Sequence, residues 1–215
     1  SLQRFAQMSR LYHEESSPFS GRPLLQRCGN RAIYFNPPSL PLRSDELDTV
    51  YELPFLRRPH PLYKEPIPAY EAVKHSLRLL RGCFGGCSFC SVSEHEGRVI
   101  QSRSASSVLT ELAALQKLDD FRGVVSDLGG PAANMYGMHC SDEKLAHGCR
   151  RLSCVSPEVC PHLTTDHTPL IDLPEQSVRD IVTAPKPPRG IAETIVPDKP
   201  GLAELIARIS LGSQI

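Results

Sequence analysis

Cys83-Phe84-Gly85-Gly86-Cys87-Ser88-Phe89-Cys90 sets three cysteines within eight residues, spaced C-x3-C-x2-C, directly after the leucine-rich run Leu77 to Leu80. Three thiolates in so short a loop converge on one point, and a soft, thiophilic metal centre is the natural occupant. Four thiolates would close a tetrahedral zinc site or a fully ligated cubane. Three leave one iron of a [4Fe–4S] cluster without a protein ligand, open to an outside molecule. Gly85 and Gly86 let the backbone turn tightly and approach a ligand closely. The competing readings are a structural zinc site and reduced, unliganded cysteines. Zinc sites usually pair a C-x2-C with a distant second pair, which is not this pattern.

The flanking sequence supplies a strand–loop–helix context for the loop. Ser104 to Lys117-Leu118 carries serines suited to an N-cap, with Val108, Leu112 and Leu115 at helical spacing and Leu109 and Leu118 beside them. Arg122-Gly123-Val124-Val125-Ser126-Asp127 reads as a short buried strand ending at Leu128-Gly129-Gly130-Pro131. Strand, cysteine loop, helix and strand make one βαβ unit with a parallel sheet. The loop then lies at the carboxyl end of the first strand, where α/β proteins place their ligands.

The spacing, with Phe89 just before the third cysteine, resembles the signature of the radical S-adenosylmethionine (SAM) superfamily. That resemblance implies a fold, a cofactor pair and a reaction. The fold is α/β: the N-terminal part of a (βα) partial barrel, incomplete in this chain and preceded by a proline-rich wrapping segment. Cys83, Cys87 and Cys90 would ligate a [4Fe–4S] cluster whose open iron chelates SAM. Reductive cleavage of SAM would then give methionine and a 5′-deoxyadenosyl radical that abstracts hydrogen from a substrate. Phe89 would sit against the adenine, and Arg98 or Arg103 would hold the SAM carboxylate. Gly129 and Gly130 would meet its amino group. The family usually carries an acidic residue after those glycines, where this chain has Pro131, with Asp127 just upstream. His95 and Glu96 are candidates for managing protons near the substrate. No catalytic residue is assigned.

A wider set of motifs resembles the YgiQ-type branch of the superfamily. They are Arg81 to Ser91, Glu94-His95-Glu96-Gly97-Arg98, Ile100 to Ser104, Ser126 to Pro131, Asn134-Met135-Tyr136 and Cys149-Arg150-Arg151-Leu152-Ser153-Cys154. The similarity runs from about Tyr12 to about Leu170. A one-electron donor such as a flavodoxin or ferredoxin is implied as a partner, and the substrate is not. The rival reading is an iron–sulfur or zinc-binding module without catalysis.

A second cysteine block follows. Cys140, Cys149, Cys154 and Cys160 fall within 140–160, with His139, His147, His162 and His167 interleaved. Four thiolates are the inventory of a closed tetrahedral zinc site or a second, fully ligated cluster. They are a candidate auxiliary metal site, and unliganded cysteines are the alternative.

Composition bounds the rest. The chain has 215 residues, 40% hydrophobic and 22% charged, with formal net charge zero, which describes a globular protein without a nucleic-acid footprint. No apolar run approaches the ~18 residues of a membrane span. Eight cysteines without a leading apolar segment point to metal binding in a reducing compartment, the cytoplasm. Three segments are expected. Residues 1–70 are proline-rich, with a strand at Ala32 to Phe35 and a helix from Ser44 to Tyr51 capped by Ser44. Residues 71–173 hold the partial core, and residues 174–215 a proline-rich linker and a short helix at Leu202 to Ile209. Only two convincing core strands are legible where about six are needed. The expectation is therefore a fragment, a frameshifted reading frame or half of a split protein, unable to turn over SAM alone.

Overall fold

The computed structural model describes residues 1–54 and 56–173. The linker and terminal helix expected over 174–215 lie outside those residues. In chain order the elements are α1 (Leu2–Glu14), β1 (Leu24–Cys28), β2 (Arg31–Phe35), α2 (Ser44–Tyr51), α3 (Pro68–Val73), β3 (Leu77–Arg78) and β4 (Leu80–Arg81), followed by α4 (Val92–Glu96), β5 (Gln101–Ser102), α5 (Ala105–Leu115), β6 (Leu128–Gly129) and α6 (Glu143–Gly148). Two compact units interleave along the chain. The first takes residues 1–42, 82–100 and 138–165; the second takes 43–81, 101–137 and, among the described residues, 166–173.

In the second unit, the βαβ arrangement read from the sequence is present. β3 and β6 pair in parallel, with Leu77 opposite Leu128 and Arg78 opposite Gly129, and α5 lies between them in sequence. The Leu77 and Leu79 amides donate to the Asp127 and Gly129 carbonyls, both at 2.8 Å. One residue later the leucine run changes partner. Leu80 and Arg81 pair antiparallel with Ser102 and Gln101 of β5. The sheets of this unit are thus two-stranded, one parallel and one antiparallel, and no closed barrel forms among the described residues. The second strand falls at Leu128–Gly129 rather than Val124 to Ser126. Gly123 turns the chain at φ 79°, Val124 is exposed, and pairing begins only where the Ser126 amide reaches the His75 carbonyl.

Ser104 caps α5, its hydroxyl accepting the Ser107 amide at 3.1 Å. Val108, Leu112 and Leu115 on one face of α5 are buried, as are Leu77, Leu79 and Leu80. Each such leucine contributes roughly 1.5–3 kcal/mol of burial free energy. α2 begins at Ser44 as expected, but Arg43 is its N-cap, the Arg43 amide donating to the Glu46 carboxylate at 2.9 Å. The Ser44 hydroxyl instead donates to the Ser102 carbonyl at 2.8 Å, tying α2 to β5.

Arg103 lies at the centre of this unit, 2% exposed. Its guanidinium donates to the Arg78 carbonyl (3.0 Å), the Ser107 carbonyl (3.0 Å) and hydroxyl (2.8 Å), and the Glu111 carboxylate, and it stacks over Tyr51. Arg57 pairs with the other oxygen of Glu111 and donates to the Ser76 carbonyl at 3.2 Å. Burial lowers the pKa of both guanidiniums, so the cations depend on the one buried carboxylate between them.

In the first unit, α1 is a 13-residue helix at the start of the segment read as proline-rich, where the sequence predicts only a strand and one short helix. The prolines begin only at Pro18, and Leu2, Phe5, Met8, Leu11 and Tyr12 recur at helical intervals before them. All five are exposed. β1 and β2 form a hairpin in which Leu24 to Cys28 pair with Phe35 to Arg31, closed by Gly29-Asn30. Gly29 at φ 63° supplies the left-handed residue that such a two-residue turn demands. The strand read at Ala32 to Phe35 is β2; its partner β1 was hidden behind Pro23 and a charged, cysteine-ended sequence. Just after α1, Glu15 is buried and accepts the Arg22 amide (2.8 Å), Nε (3.0 Å) and Nη2 (2.5 Å). That bonding lowers the Glu15 pKa from 4.5 to about 2.

Two predictions follow from these ion pairs. Glu111→Ala strands two guanidiniums and should cost about 3 kcal/mol or more, read as a fall in the urea midpoint; an unchanged midpoint contradicts the assignment. For Glu15, a depressed folded pKa means that the pair stabilises above pH about 4.5 and is lost as pH falls towards 2. Glu15→Gln should flatten the acid limb of stability across that window by circular dichroism. Superimposable acid limbs for the variant and parent would contradict it.

Candidate metal centre

The cysteine loop belongs to the first unit, and two tight backbone approaches fix its course. Gly82 has φ 92°, and a Cβ there would stand 2.2 Å from the Val99 carbonyl oxygen. Gly86 has φ 61°, and a Cβ there would stand 2.2 Å from the Leu152 carbonyl oxygen. Both positions exclude any other residue, through left-handed strain and through backbone that cannot yield. The loop is further held by the Cys83 amide on the Gly97 carbonyl (3.0 Å), the Ser93 hydroxyl on the Cys83 carbonyl (2.8 Å) and the Cys90 amide on the Cys87 carbonyl (3.0 Å). The Glu96 carboxylate accepts the Gly82 amide at 3.3 Å, a backbone-supporting contact for a residue read as a proton carrier.

Cys83 is buried, Cys90 half-buried and Cys87 exposed. The Cys83 sulfur accepts the Gly85 amide at 3.4 Å and the Cys90 sulfur the Val92 amide at 3.5 Å. Gly85 faces two of the thiols: a Cβ on it would lie 3.3 Å from the Cys83 sulfur and 3.7 Å from the Cys87 sulfur. The space beside Gly85 is therefore one that a side chain would fill, and the donors around it are thiols, a set that fits a thiophilic centre. Among the described residues, no three of His, Cys, Asp and Glu are closed into a group that could hold a metal ion. Phe89 is 90% exposed, its ring free to meet a planar partner.

Arg98 is the first unit's cation beside this loop. Its Nη1 donates to the Arg151 carbonyl at 2.6 Å and faces His13 Nε2 at 3.4 Å. A guanidinium only donates, so Nε2 is the acceptor and the imidazole carries its proton on Nδ1. That nitrogen faces Glu94 Oε1 at 3.3 Å. His13 and Glu94 thus orient Arg98, and the sequence reading missed both. The signal was faint: His13 closes α1, where a basic residue suits the helix dipole, but it is 85 residues from Arg98. Arg103, Gly129 and Gly130 belong to the second unit. Arg103 is committed to the Glu111 network described above. Gly129 is part of β6, and Gly130 packs on the Leu80 side chain.

The four later cysteines also belong to the first unit. Cys160 is buried, and Cys140, Cys149 and Cys154 are half-buried. The Cys154 amide donates to the Phe84 carbonyl at 3.0 Å, so this block packs directly on the C-x3-C-x2-C loop. The Cys154 thiol is pushed up, first by burial and then by Cys160, Cys149 and Cys140, with Arg151 opposing. His147 stacks on Phe19 with ring centroids 4.3 Å apart, away from a ligating role.

With this geometry in view, comparison with known proteins is informative. Residues 1–76 match the radical SAM N-terminal family. A UPF0313 protein of Bradyrhizobium diazoefficiens is 54% identical over 171 residues, 79% of this chain and 25% of that protein. The UPF0313 proteins YgiQ of Salmonella typhimurium and Escherichia coli are 52% and 50% identical over the same length, 24% and 23% of those proteins. No solved structure matches. Residues 1–76 carry radical SAM N-terminal sequence, and over the matched length the chain is similar to the YgiQ-type UPF0313 proteins. It spans about a quarter of the length of the curated relatives it matches. No helix among the described residues is long and apolar enough to cross a membrane.

Gly86→Ala gives a direct check on the loop. Left-handed strain alone costs about 1–2 kcal/mol, and the added methyl collides with the Leu152 carbonyl. Exchange of the Cys154 amide with deuterium should speed up severalfold as that segment lifts from Phe84. Unchanged protection would mean that the contact does not hold the loop.

Proposed function

We propose that the chain contains the cluster-binding part of a radical SAM enzyme, with Cys83, Cys87 and Cys90 as the ligands of a [4Fe–4S] cluster. The observation that carries this reading is the three-thiol loop whose Cys83 and Cys87 sulfurs flank Gly85, in a chain at least 50% identical to YgiQ-type proteins. When bound, the cluster and SAM together supply a one-electron reduction of the sulfonium, giving methionine and a 5′-deoxyadenosyl radical for hydrogen abstraction from a substrate.

The residues of this chain serve that chemistry in separate ways. The Gly85 and Val92 amides donate to the Cys83 and Cys90 sulfurs and hold them in place. Arg98, oriented by His13 and by the Arg151 carbonyl, offers its remaining donors to the SAM carboxylate. Arg103 is already saturated by Glu111, Ser107 and Arg78, so Arg98 is the better carboxylate partner. Phe89 presents a free face to the adenine. β3, β4 and β6 are read as the first strands of the partial barrel. An external donor of flavodoxin or ferredoxin type recharges the cluster, and a reducing compartment, the cytoplasm, suits all eight thiols.

Anaerobic reconstitution tests the reading. The first loop should take up about four irons, and Cys83→Ala, Cys87→Ala and Cys90→Ala should each abolish the corresponding visible absorption. Zinc at full occupancy in the loop, with no iron uptake, would leave a structural zinc module as the function.

A further inference from the structure

The block from Met138 to Thr165 has almost no apolar interior. It contains the six-residue helix α6 and one isolated antiparallel bridge between Cys140 and Leu163. Of its larger aliphatic side chains, Leu145, Leu152, Val155 and Val159 are exposed and Leu163 is half-buried. Its buried side chains are Met138, Ser153 and Cys160. A segment of this size cannot be held by hydrophobic burial of that extent, and small units in this position use disulfides or metals as staples.

The backbone around these cysteines is nonetheless tied by hydrogen bonds. The Ser141 amide donates to the His162 carbonyl at 2.7 Å and the Thr164 amide to the His139 carbonyl at 2.9 Å. These bonds lay Cys140 beside the chain that follows Cys160. The Cys160 amide donates to the Cys154 carbonyl at 2.8 Å, and the Leu163 amide to the Cys160 carbonyl at 3.0 Å. Ser153 Oγ accepts the Val155 and Ser156 amides, both at 3.0 Å, closing the turn after Cys154. Arg151 spans the same turn, donating to the Ser153 and Glu158 carbonyls. Cys149 leaves the end of α6 with its amide on the Ala146 carbonyl.

From this arrangement we propose that Cys140, Cys149, Cys154 and Cys160 form a second, structural metal centre with four protein thiolates, distinct from the C-x3-C-x2-C loop. The ligand class is a thiophilic centre that four thiolates satisfy completely, a single zinc ion or an iron–sulfur cluster. Among the described residues the four thiols are not closed on one point. Coordination at about 2.3 Å draws them together, while the backbone bonds above already hold each segment near its place. The metal would replace the missing apolar core, and its cationic charge would offset the mutual repulsion of four thiolates. Through the Cys154 amide on Phe84 and the Leu152 carbonyl against Gly86, the same centre would brace the first loop.

The test removes the first loop and asks what metal remains. The 215-residue chain carrying Cys83→Ala, Cys87→Ala and Cys90→Ala is purified anaerobically and offered zinc alone, then ferrous iron with sulfide alone. Retention of about one zinc or of a full cluster per chain is expected, with the preferred metal identifying the centre. Adding Cys140→Ser, Cys149→Ser, Cys154→Ser and Cys160→Ser should reduce that metal at least tenfold. If the triple variant does not fold, Cys149→Ser with Cys154→Ser in the otherwise unaltered chain should lose the same metal and leave the iron of the first loop. Binding of neither metal, with all four thiols open to alkylation, overturns the proposal. So does an intact mass lowered by two disulfides. Iron bound at the first loop in the unaltered chain bears on the radical SAM reading alone, so the two can fail independently.

Discussion

The close approach of Gly86 to the Leu152 carbonyl is the contact on which the site depends. It brings the cysteine loop and the later cysteine block to backbone contact, where even one Cβ would stand 2.2 Å from an oxygen. Gly82, pressed on Val99, performs the same task at the other end of the loop. Between these two points the chain has little freedom, and Cys83 and Cys87 are turned toward the space beside Gly85. A loop that must present thiols at close range is thus fixed by the residues that have no side chain.

The two units solve different physical problems. The second has an aliphatic core of leucines from β3, β4 and α5, and a buried ion network in which Glu111 serves both Arg57 and Arg103. The first has few buried apolar side chains and relies on backbone bonds and on the Glu15–Arg22 pair. Arg103 and Arg98 illustrate the difference. Both are arginines of one stretch, Arg98 to Arg103, yet Arg103 is enclosed by a carboxylate and carbonyls while Arg98 meets the Arg151 carbonyl and His13.

Sequence patterning made the βαβ element legible because its signals are local: a serine cap at Ser104, a 3.6-residue apolar stripe and a leucine run. It misplaced the second strand, since Val124 to Ser126 has strand composition but pairing depends on where the turn at Gly123 releases the chain. It overlooked α1 because proline density further along was extended back over a proline-free stretch. It could not find β5, two residues long, or the His13–Glu94–Arg98 arrangement, because both are created by contacts distant in sequence. The thiol spacing, by contrast, is chemistry written in consecutive residues, and was readable at once.

The central claim is that Cys83, Cys87 and Cys90 hold a cluster with one iron open to SAM. Electron paramagnetic resonance of the anaerobically reconstituted, dithionite-reduced chain, recorded with and without SAM, tests this most directly. The account predicts a reduced-cluster signal whose g-values shift on adding SAM and which is absent from Cys87→Ala. A signal indifferent to SAM, or one that survives in Cys87→Ala, would contradict it.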